Sequence, residues 1–190
     1  MLILFLSAII TLCTFTSTYA QRVREEAPPL RERLFFGGNL GLQFGTVTDI
    51  DLAPIAGFWL LPRIAVAAGP KYRFYKDRIF GSTHIYGGRV YTELVVLQDL
   101  DNIIPVGLHL GFFLHAEDEI LSLESSFWKT APDNTGRLVR NTILAGPGIS
   151  QPMGIRSSFN IMILWPLNST FDDLNYDLYG NPEIRFSVIF

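Results

Sequence analysis

His115, Glu117 and Glu119 are residue types that hold metals and move protons, and their spacing puts all three on one face of an extended strand. A metal centre needs three or four such ligands from converging elements. No second His or Cys cluster supplies them, so the expected role is a ladder of interior polar side chains. Serine hydrolysis is the other chemistry that the residue types allow. Ser82, Ser122, His84 and His115 are present beside several carboxylates. A triad is defined by geometry rather than spacing, and no motif ties these residues together. The run Gly37-Gly38-Asn39-Leu40-Gly41 precedes no helical pattern, so it is not a dinucleotide fingerprint. What remains is charge. Lys71, Arg73, Arg89, Arg140 and Arg185 sit at alternate positions within apolar segments, and so do Glu93, Glu117 and Glu119. The expectation is a non-enzyme with no catalytic, metal or cofactor residues, whose distinctive chemistry is a mixed-sign set of ionised side chains.

The elements that carry these charges are strands. The chain has 190 residues, 48% hydrophobic, 13% aromatic and only 17% charged. Its net charge of −3 argues against nucleic acid as a partner. Residues 1–20 form an apolar run ending Thr18-Tyr19-Ala20, which fits a signal peptide cleaved before Gln21. The only cysteine, Cys13, lies within it, so the mature chain is expected to have no thiol chemistry. Residues 21–33 are charged, contain Pro28-Pro29, and read as a periplasmic lead-in. After residue 20 no apolar run is long enough for a membrane helix. Residues 34–190 read instead as one domain of eight extended segments, near 34–46, 49–60, 64–76, 84–98, 106–123, 137–150, 157–167 and 182–190.

The last of these, PEIRFSVIF, sets Ile184, Phe186, Val188 and Phe190 on one face against Glu183, Arg185 and Ser187. Similar splits place the charged set above, together with His109 and His115, on the opposite face from Val66, Tyr72, Val90, Leu94, Leu110 and Leu114. Alternation alone does not say which face is inside, since soluble and membrane barrels point it in opposite directions. The aromatic residues decide. Phe36, Phe58, Phe159 and Phe190 fall near one end of the apolar face, and Phe44, Tyr72, Phe74, Tyr86 and Trp165 near the other. Two aromatic belts are what lipid interfaces select. The two longest loops follow segments five and seven, matching long outer loops if the N-terminus is periplasmic. The expected fold is therefore all-β, an eight-stranded antiparallel up-and-down transmembrane barrel whose partner is the lipid bilayer.

At this point the chain resembles the small outer-membrane β-barrel proteins of the Bacteroidota type, often called porin-family. The residues that carry the resemblance are FGGNLGLQFG (36–45), APIAGFWLLPRIAVAAGPKYRFY (53–75), HIYGGRVY (84–91), SQPMGIRSSFNIMILWPLN (150–168) and NPEIRFSVIF (181–190). The architecture is similar to OmpX- and OmpA-type barrels. The resemblance implies a location in the cell outer membrane, a monomer, and recognition by the barrel-assembly machinery through Phe186 and Phe190. It implies a structural or surface-interaction role. A narrow passive channel is the alternative, and an outer-membrane lipid-modifying enzyme the third. An eight-stranded lumen is just wide enough for side chains. The charged set is expected to fill it, with bases slightly exceeding acids and with Arg73, Arg89, Glu117 and Arg140 in one layer.

Overall fold

The computed structural model describes residues 29, 32–43, 47–79, 81–105, 107–128, 136–154, 156–168, 178–179 and 182–190. The expected leader, most of the lead-in and Phe44 lie outside the described residues. The rest forms eight strands: β1 (Leu34–Gln43), β2 (Val47–Leu61), β3 (Ile64–Asp77), β4 (Gly81–Leu97), β5 (Gly111–Glu124), β6 (Arg137–Pro152), β7 (Ser158–Pro166) and β8 (Glu183–Ile189). Each pairs antiparallel with its sequence neighbours, and β1 pairs with β8, closing an up-and-down barrel. A four-residue helix, α1 (Ser125–Trp128), begins the β5–β6 connection.

Period-two patterning produces this wall. Burial along β4 and β5 alternates almost without a break, so odd-numbered residues point in and even-numbered ones out. Lys71, Arg89, Glu93, His115, Glu117, Glu119 and Arg185 are buried. Leu40, Leu52, Val90, Leu114, Ile120, Ile184 and Phe186 are about half exposed on the exterior. Ile85, Leu121, Leu144, Met162 and Leu164 are buried as well, so the interior is part apolar and part charged, whereas a water-soluble domain keeps its charges on the exterior. Exterior aromatics gather at both ends. Tyr72 and Tyr86 are register partners near one end, and Phe159 stacks on Phe186 at 6.1 Å near the other, beside the exposed Phe36 and Phe190.

Glycine and proline shape the wall locally. Phe35 lies against Gly57 and Phe113 against Gly148, where any Cβ would collide with the ring. Pro54 and Pro70 lack N–H groups, and the β2–β3 ladder is broken between the pairs Leu52↔Tyr72 and Ala56↔Ala68. The closing seam is the shortest junction. Its ladder has two register pairs, Gly37↔Ile189 and Gly38↔Val188, extended by reciprocal backbone bonds of Phe36 and Phe190 at 2.9 and 2.8 Å.

Two expectations need correction. The fifth strand starts at Gly111, not at 106, because residues 107–110 belong with the preceding turn rather than with the strand. Asp99 caps a 3-10 helix at Leu100–Asn102, Asp101 accepts from the Gly107 amide, and Leu100 bonds back to Leu110. His109 is therefore exposed rather than interior. Its Nδ1 lies 2.8 Å from Asp99, a hydrogen bond that raises the imidazole pKa and lowers that of the carboxyl. This turn is also as long as the β5–β6 connection, so the contrast between short and long ends is weaker than the sequence suggested.

Candidate functional site

The chemistry-bearing residues meet inside the barrel. Register places Glu93 opposite His115 and Arg89 opposite Glu119 on β4 and β5. Lys71 Nζ donates to both oxygens of Glu119 at 2.9 Å and stands 3.5 Å from Asp51. Arg185 crosses the lumen from β8. It donates to Glu117 through Nη1, to Glu183 through Nη2 at 2.7 Å, and lies 3.5 Å from Glu119. The other Glu117 oxygen faces Arg89 at 3.5 Å and His115 Nε2 at 3.3 Å. His115 Nδ1 then reaches Glu93 at 3.0 Å. Arg89 also donates to the Ala53 carbonyl at 3.0 Å, beside the ladder break at Pro54 and Pro70. An unpaired charge in so narrow a space would cost several kcal/mol, so shared partners are what make ionised side chains tolerable here.

The connection between β7 and β8 completes the closure. Leu178 and Tyr179 are buried within the barrel. The Tyr179 hydroxyl donates to Glu119, its ring lies 5.3 Å from the Lys71 ammonium, and Arg73 Nη1 donates to the Leu178 carbonyl at 2.8 Å. No sequence signal marked this segment, because nothing in Tyr-Asp-Leu-Tyr distinguishes an inserted loop from a solvated one. Tyr179→Phe removes one hydrogen bond but leaves Glu119 its two cations. A loss of about 1 kcal/mol in urea unfolding is expected; no change at all would mean that the segment does not hold the lumen.

Six of the eight sequence-derived charges belong to one connected set: Lys71, Arg89, Glu93, Glu117, Glu119 and Arg185. Two stand apart. Arg73 bonds Asp49 at 2.9 Å, and Arg140 is half-buried with no ion pair to the set among the described residues. The expected single layer is therefore staggered. Arg73 pairs across from Ile85 rather than Arg89, and Arg140 across from Leu121 rather than Glu117. The charge balance also differs. Asp49, Asp51 and Glu183 face inward with the other acids, so acids outnumber bases. The weak alternation of the second segment hid the two aspartates.

Of the hydrolase residue types, Ser122 and His84 lie near one another on the exterior, where Arg137 donates to the Ser122 hydroxyl at 2.8 Å and to the His84 carbonyl at 2.7 Å; the His84 ring meets the Tyr72 hydroxyl at 2.8 Å rather than Ser122, and His115 is inside. Among the described residues no group of three or more His, Cys, Asp or Glu is arranged to hold a metal ion. The geometry of the set closes a lumen by mutual neutralisation. No family model, curated protein or solved structure matches the chain. The fold is an eight-stranded closed antiparallel β-barrel, an architecture found both in outer-membrane and in soluble proteins.

Proposed function

We propose that this protein is an integral β-barrel of a bacterial outer membrane, exported through the periplasm, with a structural or surface-interaction role. One observation carries the reading: the exterior carries many exposed large apolar side chains, while the charged side chains Lys71, Arg89, Glu93, Glu117, Glu119 and Arg185 are buried inside beside an apolar cluster. In water such an exterior would be a large exposed apolar surface, which soluble monomers avoid. In lipid it is the required surface, and closure of the sheet leaves no backbone edge unpaired. The end holding Phe36, Phe159 and Phe190 faces the periplasm, and the end holding Tyr72, Phe74, Tyr86 and Trp165 faces outward. The protein acts as a monomer, assembled by the barrel-assembly machinery through the β8 ending with Phe186 and Phe190. Its role is non-enzymatic, and the ion-paired lumen with Leu178 and Tyr179 blocks conduction, which favours this reading over a passive channel.

Two measurements test it. The protein should fractionate with outer membranes and migrate faster on gels unheated than boiled, because a closed barrel resists cold detergent. Recovery from the soluble periplasm, with one mobility, would end the proposal. In lipid vesicles Val90→Arg should cost about 2–4 kcal/mol of unfolding free energy, as Arg facing the bilayer midplane does. Thr142→Val on the inner face should cost less. Equal tolerance of both changes would mean that the exterior does not meet lipid.

A further inference from the structure

The lumen is not filled along its whole length. At the end holding the first residues of β1 and the last of β8 a cavity of about 410 Å³ opens into the barrel. Aromatic packing explains why it is open. The rings of Phe35 and Phe113 are drawn against Gly57 and Gly148, flat to the wall, instead of spanning the interior. They line the cavity together with Trp59, whose ring lies 5.9 Å from that of Phe35.

Two buried polar groups at this end, Glu93 and Asn160, bear on what it could hold. Glu93 lines the cavity and spends one oxygen on His115. Asn160 also lines it, is 2% exposed, and its Oδ1 has no hydrogen-bond partner. Glu32 stands at the rim. The one cation of the lining, Arg156, is tied to the wall by donating to the carbonyls of Glu32 and Leu34 at 3.0 and 3.2 Å. Asn160 Oδ1 thus lacks a donor, the Glu93 carboxylate adds negative charge deeper in, and Phe35, Trp59 and Phe113 supply aromatic wall. A buried acceptor without a donor is costly unless something supplies one. An anionic ligand would meet the Glu93 carboxylate. A cation would meet that carboxylate and the faces of aromatic rings. The volume falls in the range of small-molecule sites.

We propose that this mouth cavity binds small organic cations with an apolar body, of the arylalkylamine class, the ammonium directed at Glu93 and Asn160 and the body against Phe35, Trp59 and Phe113. The site adjoins the charge cluster through Glu93, which His115 links to Glu117.

The test uses the full-length barrel refolded into lipid nanodiscs, its closed state checked by gel mobility, with empty nanodiscs as control. The probes are 2-phenylethylamine, the neutral 2-phenylethanol and the anionic 3-phenylpropionate. Fluorescence titration, with Trp59→Phe identifying the responding tryptophan, should give saturable binding of the amine, at least tenfold weaker binding of the alcohol, and none of the acid. Glu93→Gln should weaken amine binding at least tenfold. Ser150→Phe fills the cavity from β6 without touching the charge cluster and should abolish binding; it decides the matter if Glu93→Gln does not refold. Absence of saturable binding to the native barrel, preference for the acid, or unchanged amine affinity in Ser150→Phe would overturn the proposal.

Discussion

Glu117→Ala should destabilise the barrel by about 3–5 kcal/mol, the usual consequence of removing one partner from a buried charge pair. The size follows from how many groups this carboxylate serves. It meets Arg185 through one oxygen, and Arg89 and His115 through the other. Arg185 would keep Glu183 and Glu119, and His115 would keep Glu93. Among the described residues Arg89 would keep the Ala53 carbonyl and no carboxylate, so it is the group left with an unpaired buried charge. The double variant Glu117→Leu with Arg89→Met should therefore be less destabilised than the sum of its single changes. Urea unfolding in lipid vesicles reads both numbers. A Glu117→Ala barrel within 1 kcal/mol of the parent would show that the cluster is not what holds the lumen together.

Gly37→Val should prevent closure. A Cβ at Gly37 would run into the Val188 carbonyl across the seam, and that atom is backbone, so no side chain can swing away to make room. The seam has little to lose. Its two register pairs and the reciprocal Phe36–Phe190 bonds are the whole β1–β8 ladder. At roughly 1 kcal/mol net for each of about four hydrogen bonds, the penalty is about 4 kcal/mol, and it grows where lipid offers the freed groups no partner. The expected result is loss of the fast-migrating closed form while strand content by circular dichroism persists. Gly41→Ala is the control, since the nearest atom there is the side-chain Cβ of Asp51 at 3.3 Å. Equal closure by both variants would show that the seam tolerates separation.

The wall was legible in the sequence because alternation is a local property. Val90, Tyr91, Thr92, Glu93 and Leu94 announce their faces without reference to any other strand, and the structure keeps those faces. Lys71, Arg89, Glu117 and Arg185 could be placed on the interior side for the same reason. Their partners could not be named, because partnership depends on shear between strands, which no single strand records. That is why Arg73 was grouped with Arg89 when it bonds Asp49. The turn that begins at Asp99 is legible, but its end is not, because Leu108 and Leu110 continue the alternation of β5 while Asp99 and Asp101 still bind backbone amides of the turn. Tyr179 was missed because its role is set by a contact with β5, far away in sequence.

The sharing of partners within the lumen constrains how such a chain changes over generations. Lys71, Glu119, Arg185, Glu117 and Arg89 form a chain of contacts in which each carboxylate answers to more than one cation. Losing Glu117 passes through a state with a stranded charge on Arg89, and two simultaneous changes are rare. The exterior has no such linkage. Leucine, isoleucine, valine and phenylalanine exchange there at small cost, since lipid does not demand a jigsaw fit. Divergent descendants of this barrel would therefore come to differ most on the outside, at exposed apolar positions such as Leu40, Val90, Leu114 and Ile120. Common descent would remain written in a handful of interior charges.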